Sequence, residues 1–242
     1  MFKRLFFSAF TLSLICFFIY AFSGDGIKSP LSTETLKAKS GNEYLVIYKN
    51  SSKIDFEISR PEKKDTTIYL CIAGAFTTLD NYSIDGLYIS KGKTGNKNII
   101  NHSVGGAIKM INGQCEIFSS NKGKLLNDSL ISEIENKSGS LFQQIQMIEN
   151  GIAAKFKDTK LFQRRGIIIF KNGKTAIAES KNAITLKVFA DDLAELGTNN
   201  LLYTDMGAWD EGWYKNENGK MISLGYNHSE TSKQSNWVVF RK

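Results

Sequence analysis

The densest chemistry in the sequence lies in the run Leu201-Leu202-Tyr203-Thr204-Asp205-Met206-Gly207-Ala208-Trp209-Asp210-Glu211-Gly212-Trp213-Tyr214. An apolar stretch ends in the Asp205 carboxylate and a glycine turn; aromatic residues and further acids follow. Carboxylates transfer protons and flat rings stack on sugar faces, so the combination suits carbohydrate chemistry. The alternative is an acidic loop whose rings pack into the core. The Gly-rich polar setting of Trp209 and Trp213 favours the functional reading. A second segment, Phe162-Gln163-Arg164-Arg165-Gly166, precedes an apolar strand. Arginine holds phosphate with a bidentate fork. Successive strand residues face opposite ways, so only one of the two arginines can address a given site. Pairing with carboxylates is the structural alternative. The third segment is Ile72-Ala73-Gly74-Ala75-Phe76, followed by Ile84-Asp85-Gly86-Leu87-Tyr88-Ile89. Small residues after a strand admit a ligand or another backbone, or simply make a tight packing bend.

Other chemistries lack their signatures. The chain has no Gly-x-Ser-x-Gly, no His-Glu-x-x-His and no Gly-x-x-x-x-Gly-Lys-Ser/Thr phosphate-binding loop. Its two histidines, His102 and His228, sit in Asn- and Ser-rich surroundings and read as exposed loop residues. Asp205, Asp210 and Glu211 could hold a cation, but acids in one loop are more often solvated. No metal and no cofactor are expected.

The elements that must position these groups are mostly strands. Glu43–Tyr48, Lys53–Ser59 and Thr66–Ile72 are strand-like, with a turn at Asn50-Ser51-Ser52. Val104–Ile111 and Gln114–Ser119 flank Asn112-Gly113, a pair suited to a type I′ hairpin turn. Asn172-Gly173 joins Ile167–Phe170 to Thr175–Ala178 in the same way; Asn150-Gly151 and Asn218-Gly219 mark further turns. Thr185 is a good N-cap for a helix carrying Leu186, Phe189, Ala190, Leu193 and Leu196 on one face and ended by Gly197. Leu125–Glu135 is a second helix candidate, and Leu141–Ile148 fits helix or strand. A strand over Asn200–Thr204 then delivers Asp205 to its C-terminal end. The expected fold is α+β: one domain with a predominantly β core and a few flanking helices.

The formal charge is +7, or +5 once Lys3 and Arg4 are set aside (7 − 2). The lysines are scattered, without a dense basic run, so nucleic acid is not an expected partner. Met1–Ser23 has the parts of a signal: Lys3 and Arg4, an apolar run of Leu5–Phe22, and Ala21-Phe22-Ser23 before Gly24. That run could also remain as a membrane anchor, and either way the remainder is expected to be exported, with membrane contact only through residues 1–23. Cys16 follows Ile15 rather than the small residue of a lipidation site. Residues 24–42, rich in Gly, Ser, Thr and Lys, read as a spacer, leaving 43–242 as the working domain. Cys71 and Cys115 permit a disulfide in an oxidising compartment, but buried thiols are at least as expected. Asn-x-Ser sequences recur from Asn50 to Asn227 and matter only where the host glycosylates.

Taken in order, the three segments resemble the phosphodiester glycosidase family over roughly residues 66–240. Ala73-Gly74-Ala75-Phe76 resembles its Asn-Gly-Gly-x-Phe bend, and Gly86-Leu87-Tyr88-Ile89 its Gly-Leu-x-Ile element. Gln143 or Gln144 before Asn150-Gly151, Arg164-Arg165-Gly166-Ile167, the Asn-Gly hairpin, the amphipathic helix and Asp205-Met206-Gly207 follow in sequence. Three positions depart: Ala73 and Ala75 stand where the pattern has Asn and Gly, and Met206 where it has Gly. The resemblance implies an exported hydrolase that releases a sugar from a phosphate-linked aglycone. It implies Asp205 at the anomeric centre, Arg164 on the phosphate and Asp85 as a partner carboxylate. Gly74, Phe76, Gln143, Gly207, Trp209, Trp213 and Tyr214 would shape the substrate site. A noncatalytic envelope protein that binds glycan or glycan phosphate is the alternative, favoured by Ala73 and Met206. A purely structural surface module is the third reading.

Overall fold

A computed structural model describes residues 29–207, 211–226 and 228–242. The expected signal or anchor at 1–23 lies outside the described residues, as do Trp209 and Asp210. Among the described residues no helix is long and apolar enough to cross a membrane.

The chain runs β1 (Leu31–Lys37), β2 (Glu43–Lys49), β3 (Lys53–Glu57), β4 (Ile68–Ala73), β5 (Tyr88–Ser90), β6 (Lys93–Gly95), β7 (Gly105–Ile111) and β8 (Gln114–Ser119). Helix α1 (Asp128–Asn136), β9 (Ser140–Glu149), β10 (Ile152–Ala153), β11 (Arg165–Phe170) and β12 (Thr175–Ser180) follow. Helix α2 (Leu186–Glu195), β13 (Thr198–Tyr203), β14 (Gly212–Lys215), β15 (Met221–Leu224) and β16 (Trp237–Arg241) complete it. The α+β expectation holds: among the described residues strands dominate and two α-helices flank them.

The strands make two antiparallel sheets. The larger is ordered β1-β2-β12-β11-β13-β9-β5-β6, with β7, β8 and β10 joined through β9; the smaller is β15-β14-β4-β16-β3. Their facing sides share one core, to which the larger sheet gives Ile47, Ile167, Ile177 and Leu202 and the smaller Phe56, Leu70, Ile72 and Val238. Each such fully buried side chain contributes about 1.5–3 kcal/mol, which makes this layer the main source of stability. A second core lies under α2, around Phe189, Leu193, Ile168 and Tyr203. A third lies under α1, around Ile131, Ile134 and Leu141.

Local signals explain most of these elements. Thr185 accepts from the Val188 amide at the start of α2, and Asn127 caps α1 through the Leu130 amide. Asn112-Gly113 and Asn150-Gly151 have positive φ at both residues, as a type I′ turn requires. At Asn172-Gly173 and Asn218-Gly219 only the glycine is positive, so these hairpins turn through one further residue. The ambiguous Leu141–Ile148 is strand, inside β9, where pairing with β5, β7 and β13 buries both faces. The spacer expectation needs correcting: β1 lies inside residues 24–42 and pairs along its whole length with β2. Leu31 enters the inter-sheet core, so the folded domain begins well before residue 43. Its short exposed run of Ser, Thr and Glu is an edge strand rather than a linker.

Candidate active site

β4 and β13 belong to different sheets, and their C-terminal ends meet. The Asp205 amide donates to the Gly74 carbonyl at 2.9 Å. The Thr77 amide donates to Oδ2 of Asp205, also at 2.9 Å. Asp205 is only 3% exposed. The bend is held from the other side by Asn236, whose Oδ1 accepts from the Ala75 amide at 2.7 Å and whose Nδ2 donates to the Ala75 carbonyl at 3.0 Å. The Thr77 and Ser235 hydroxyls bond at 2.9 Å. Buried polar groups must be paired, and here the pairs lock the bend. Gly74 serves this lock: a β-carbon there would lie 2.7 Å from Asn236 Oδ1 and 3.2 Å from Phe56. Its smallness admits Asn236 rather than a ligand.

The Ala73–Phe76 bend also reaches Arg164, through Tyr203. The Phe76 ring packs 6.2 Å from the Tyr203 ring, and Arg164 Nη1 donates to the Tyr203 hydroxyl at 3.2 Å. Burial raises the Tyr203 pKa above its ordinary value; Arg164 opposes this, and the Asp205 charge adds to it. The phenol therefore stays protonated beside the Arg164 guanidinium. Arg164 is otherwise engaged: Nε donates to the Ile184 carbonyl, and Nη2 to the Lys160 carbonyl and Asp158. Such a set of bonds fixes the 158–164 loop and the start of α2, where Asp158 also accepts from the Leu186 amide. Arg164 is thus placed to orient Tyr203 rather than to meet a phosphate directly.

Arg165 points the other way, as strand alternation demands. It is fully buried and pairs with Glu179, its cross-strand neighbour, through Nε at 2.6 Å. The Arg165 carbonyl accepts from both the amide and the hydroxyl of Thr204. Glu179 Oε1 accepts from Gln163 Nε2 at 3.0 Å and from the Gly225 amide at 3.2 Å.

The remaining expected site residues separate into distinct places. Asp85 bonds the Phe76 carbonyl through its amide, but its carboxylate accepts from Asn101 Nδ2 at 2.8 Å. Gln143 is a structural clamp: its amide bonds the backbone of Leu87 and both backbone groups of Asn101. Gly86 leaves room for it, since a β-carbon would lie 2.7 Å from Gln143 Oε1. The glutamine at the bend is Gln144, whose Nε2 is 3.5 Å from the Gly74 carbonyl. Trp213 and Tyr214 are successive residues of β14, so they face opposite ways. Trp213 is buried among Cys71, Trp237 and Val239 on the outer face of the smaller sheet. Tyr214 is buried in the inter-sheet core. Neither leaves a ring face open for stacking on a sugar. Gly207 has φ of +141°, and among the described residues nothing lies within 4 Å of where a β-carbon would stand.

Glu211 pairs with Arg60 and Lys63, which hold its pKa down against burial. His102 Nδ1 and His228 Nε2 each face a backbone carbonyl. Among the described residues no group of three His, Cys, Asp or Glu side chains could hold a metal ion. Cys71 and Cys115 are free thiols in different sheets.

Tyr203, Asn236, Thr77 and Glu179 are the members that sequence reasoning missed; Gln144 stood there as the alternative to Gln143, and Arg165 as the alternative to Arg164. Asn236 directly before an apolar strand and Tyr203 two residues before Asp205 were the available signals.

No family model matches the sequence, and no curated protein is significantly similar to it. Solved structures do share its fold. The zebrafish N-acetylglucosamine-1-phosphodiester α-N-acetylglucosaminidase catalytic domain, auto-inhibited by its pro-peptide, superposes with a TM-score of 0.61 at 13% identity, covering 91% of this chain and 86% of that one. A hypothetical protein from Synechocystis superposes at 0.58 and 11% identity, covering 88% of this chain and 62% of that one. At such identities the likeness is one of fold.

Proposed function

We propose that this protein is an exported hydrolase of sugar phosphodiesters or related glycosides, with Asp205 as the carboxylate at the anomeric centre. The observation that carries the reading is the seat of Asp205: a buried carboxylate at a strand end, oriented by the Thr77 amide. Its support is the shared fold with a phosphodiester glycosidase catalytic domain. A phosphate leaving group is already a stable anion, so cleavage needs charge stabilisation at the sugar more than a strong general acid. Asp205 would stabilise or trap the cationic sugar. Tyr203, protonated and held by Arg164, would donate a hydrogen bond beside it. Arg164 is then a positioning residue, and Arg165 with Glu179 sets the charge on the inner side of the same strand end. The N-terminal segment 1–23 would deliver the domain to where envelope glycans occur.

A second reading, glycan binding without turnover, is favoured by two features. Both arginines already have carboxylate partners. Ala73, Ala75 and Met206 replace the amide and glycines of the resembling pattern. The test is an assay of the purified protein on N-acetylglucosamine-1-phosphodiesters beside Asp205→Asn and Arg164→Ala. Equal turnover in all three would remove these role assignments. Binding of the diester without turnover in the native protein would select the second reading.

A further inference from the structure

We propose that Phe162 and Tyr226, with the lysines of the 155–160 loop, form a second subsite for the continuing chain of an anionic glycan whose reactive unit sits at Asp205. This rests on the sugar-phosphodiester reading above. Phe162 and Tyr226 are 46% and 61% exposed, the most exposed aromatic rings among the described residues. Both are nonetheless fixed. Phe162 forms an antiparallel bridge with Ile184, and one face of its ring is held by the Arg164 guanidinium 5.2 Å away. The Tyr226 hydroxyl accepts from the Gln163 amide at 3.0 Å, one residue along the chain from Phe162.

A chain of hydrogen bonds links the platform to the candidate site. Gln163 and Gly225, the chain neighbours of the two rings, both donate to Oε1 of Glu179. Glu179 holds Arg165, and Arg165 holds Thr204, the residue before Asp205. Charge identifies the occupant. Lys155, Lys157 and Lys160 are exposed and make no ion pair among the described residues. The one acid of that loop, Asp158, is spent on Arg164 and the Leu186 amide. Exposed rings and uncompensated lysines of one neighbouring segment fit pyranose units that are joined by phosphates or bear carboxylates.

The experiment compares synthetic N-acetylglucosamine-1-phosphodiesters carrying one, two or three phosphate-linked sugar units, by calorimetry and, where turnover occurs, by KM. In the native protein, affinity is expected to rise about 10-fold from one unit to three, the size of a single good stacking contact. Tyr226→Ala and the pair Lys157→Gln with Lys160→Gln should each cut that gain to about 2-fold or less, while Tyr226→Phe keeps most of it. A chain-length gain that is absent, or equal in native and variant proteins, overturns the subsite while leaving Asp205 its role. Failure to bind any of the three overturns both readings. Equally tight binding of polyglutamate, lost in Tyr226→Ala, would assign the platform to an acidic peptide and overturn the glycan.

Discussion

The Thr77 amide donates to the Asp205 carboxylate across 128 residues of sequence, at 2.9 Å. Asp205 returns a bond through its own amide to Gly74, three residues before Thr77. The two sheets are therefore stitched together at the carboxylate itself. A group oriented by a backbone donor needs little reorganisation when a substrate arrives.

Asp205→Asn is the first expected outcome. The amide oxygen can still accept from Thr77, so the fold should persist. Turnover of a sugar phosphodiester should fall roughly 10²–10⁴-fold, the range typical of a lost catalytic carboxylate. Steady-state kinetics with circular dichroism as a control check this; an unchanged kcat would place the chemistry elsewhere.

Gly74→Ala should destabilise the protein by about 1–3 kcal/mol, the usual cost of overpacking. Its β-carbon would meet Asn236 Oδ1 and Phe56 rather than open space. The companion Asn236→Ala removes the obstructing side chain, and the two changes should be non-additive in urea denaturation. Strict additivity would show that Asn236 is not what excludes a side chain at 74.

The two arginines should differ in what they cost. Arg164→Ala strips bonds from Asp158, Ile184 and Lys160 and should lower unfolding free energy by about 3 kcal/mol or more. A raised KM for diesters at native stability would instead mean that Arg164 binds phosphate directly. Glu179→Gln weakens the buried pair with Arg165 by a similar order, and Arg165→Met added to it should recover part of the loss.

Alkaline pH should weaken the fold. Burial pushes the Cys115 thiol up to about 11 from an ordinary 9.0. Burial, then the Asp192 carboxylate, raises the Tyr44 phenol above its ordinary 10.0. Both pKa values are higher in the folded state, so the stability these groups contribute is intact below the ordinary values. It is lost as pH rises through the folded ones. Denaturation midpoints should therefore fall from about pH 9 upward. Tyr44→Phe should flatten the part above pH 10. An identical slope in that variant would refute the assignment.

The sequence by itself determined what is local. Asn-Gly pairs marked the hairpins because their backbone preference acts within four residues. Thr185 and the apolar stripe after it marked α2, and the apolar run Asn200–Thr204 marked the strand that delivers Asp205. The order of segments also carried the resemblance on which the fold expectation rests. The tertiary structure decided which neighbour does what. Gln143 and Gln144 are successive residues of β9, Trp213 and Tyr214 of β14, and Arg164 directly precedes Arg165, the first residue of β11; the members of each pair go to opposite sides. Which face meets the site depends on pairing between strands far apart in sequence, β11 with β13 and β9 with β13. The same holds for β1, whose polar residues resemble a linker until β2 supplies hydrogen-bond partners for it. The Asp205–Thr77 bond belongs to this second class, because only the meeting of the two sheets brings an amide to that carboxylate.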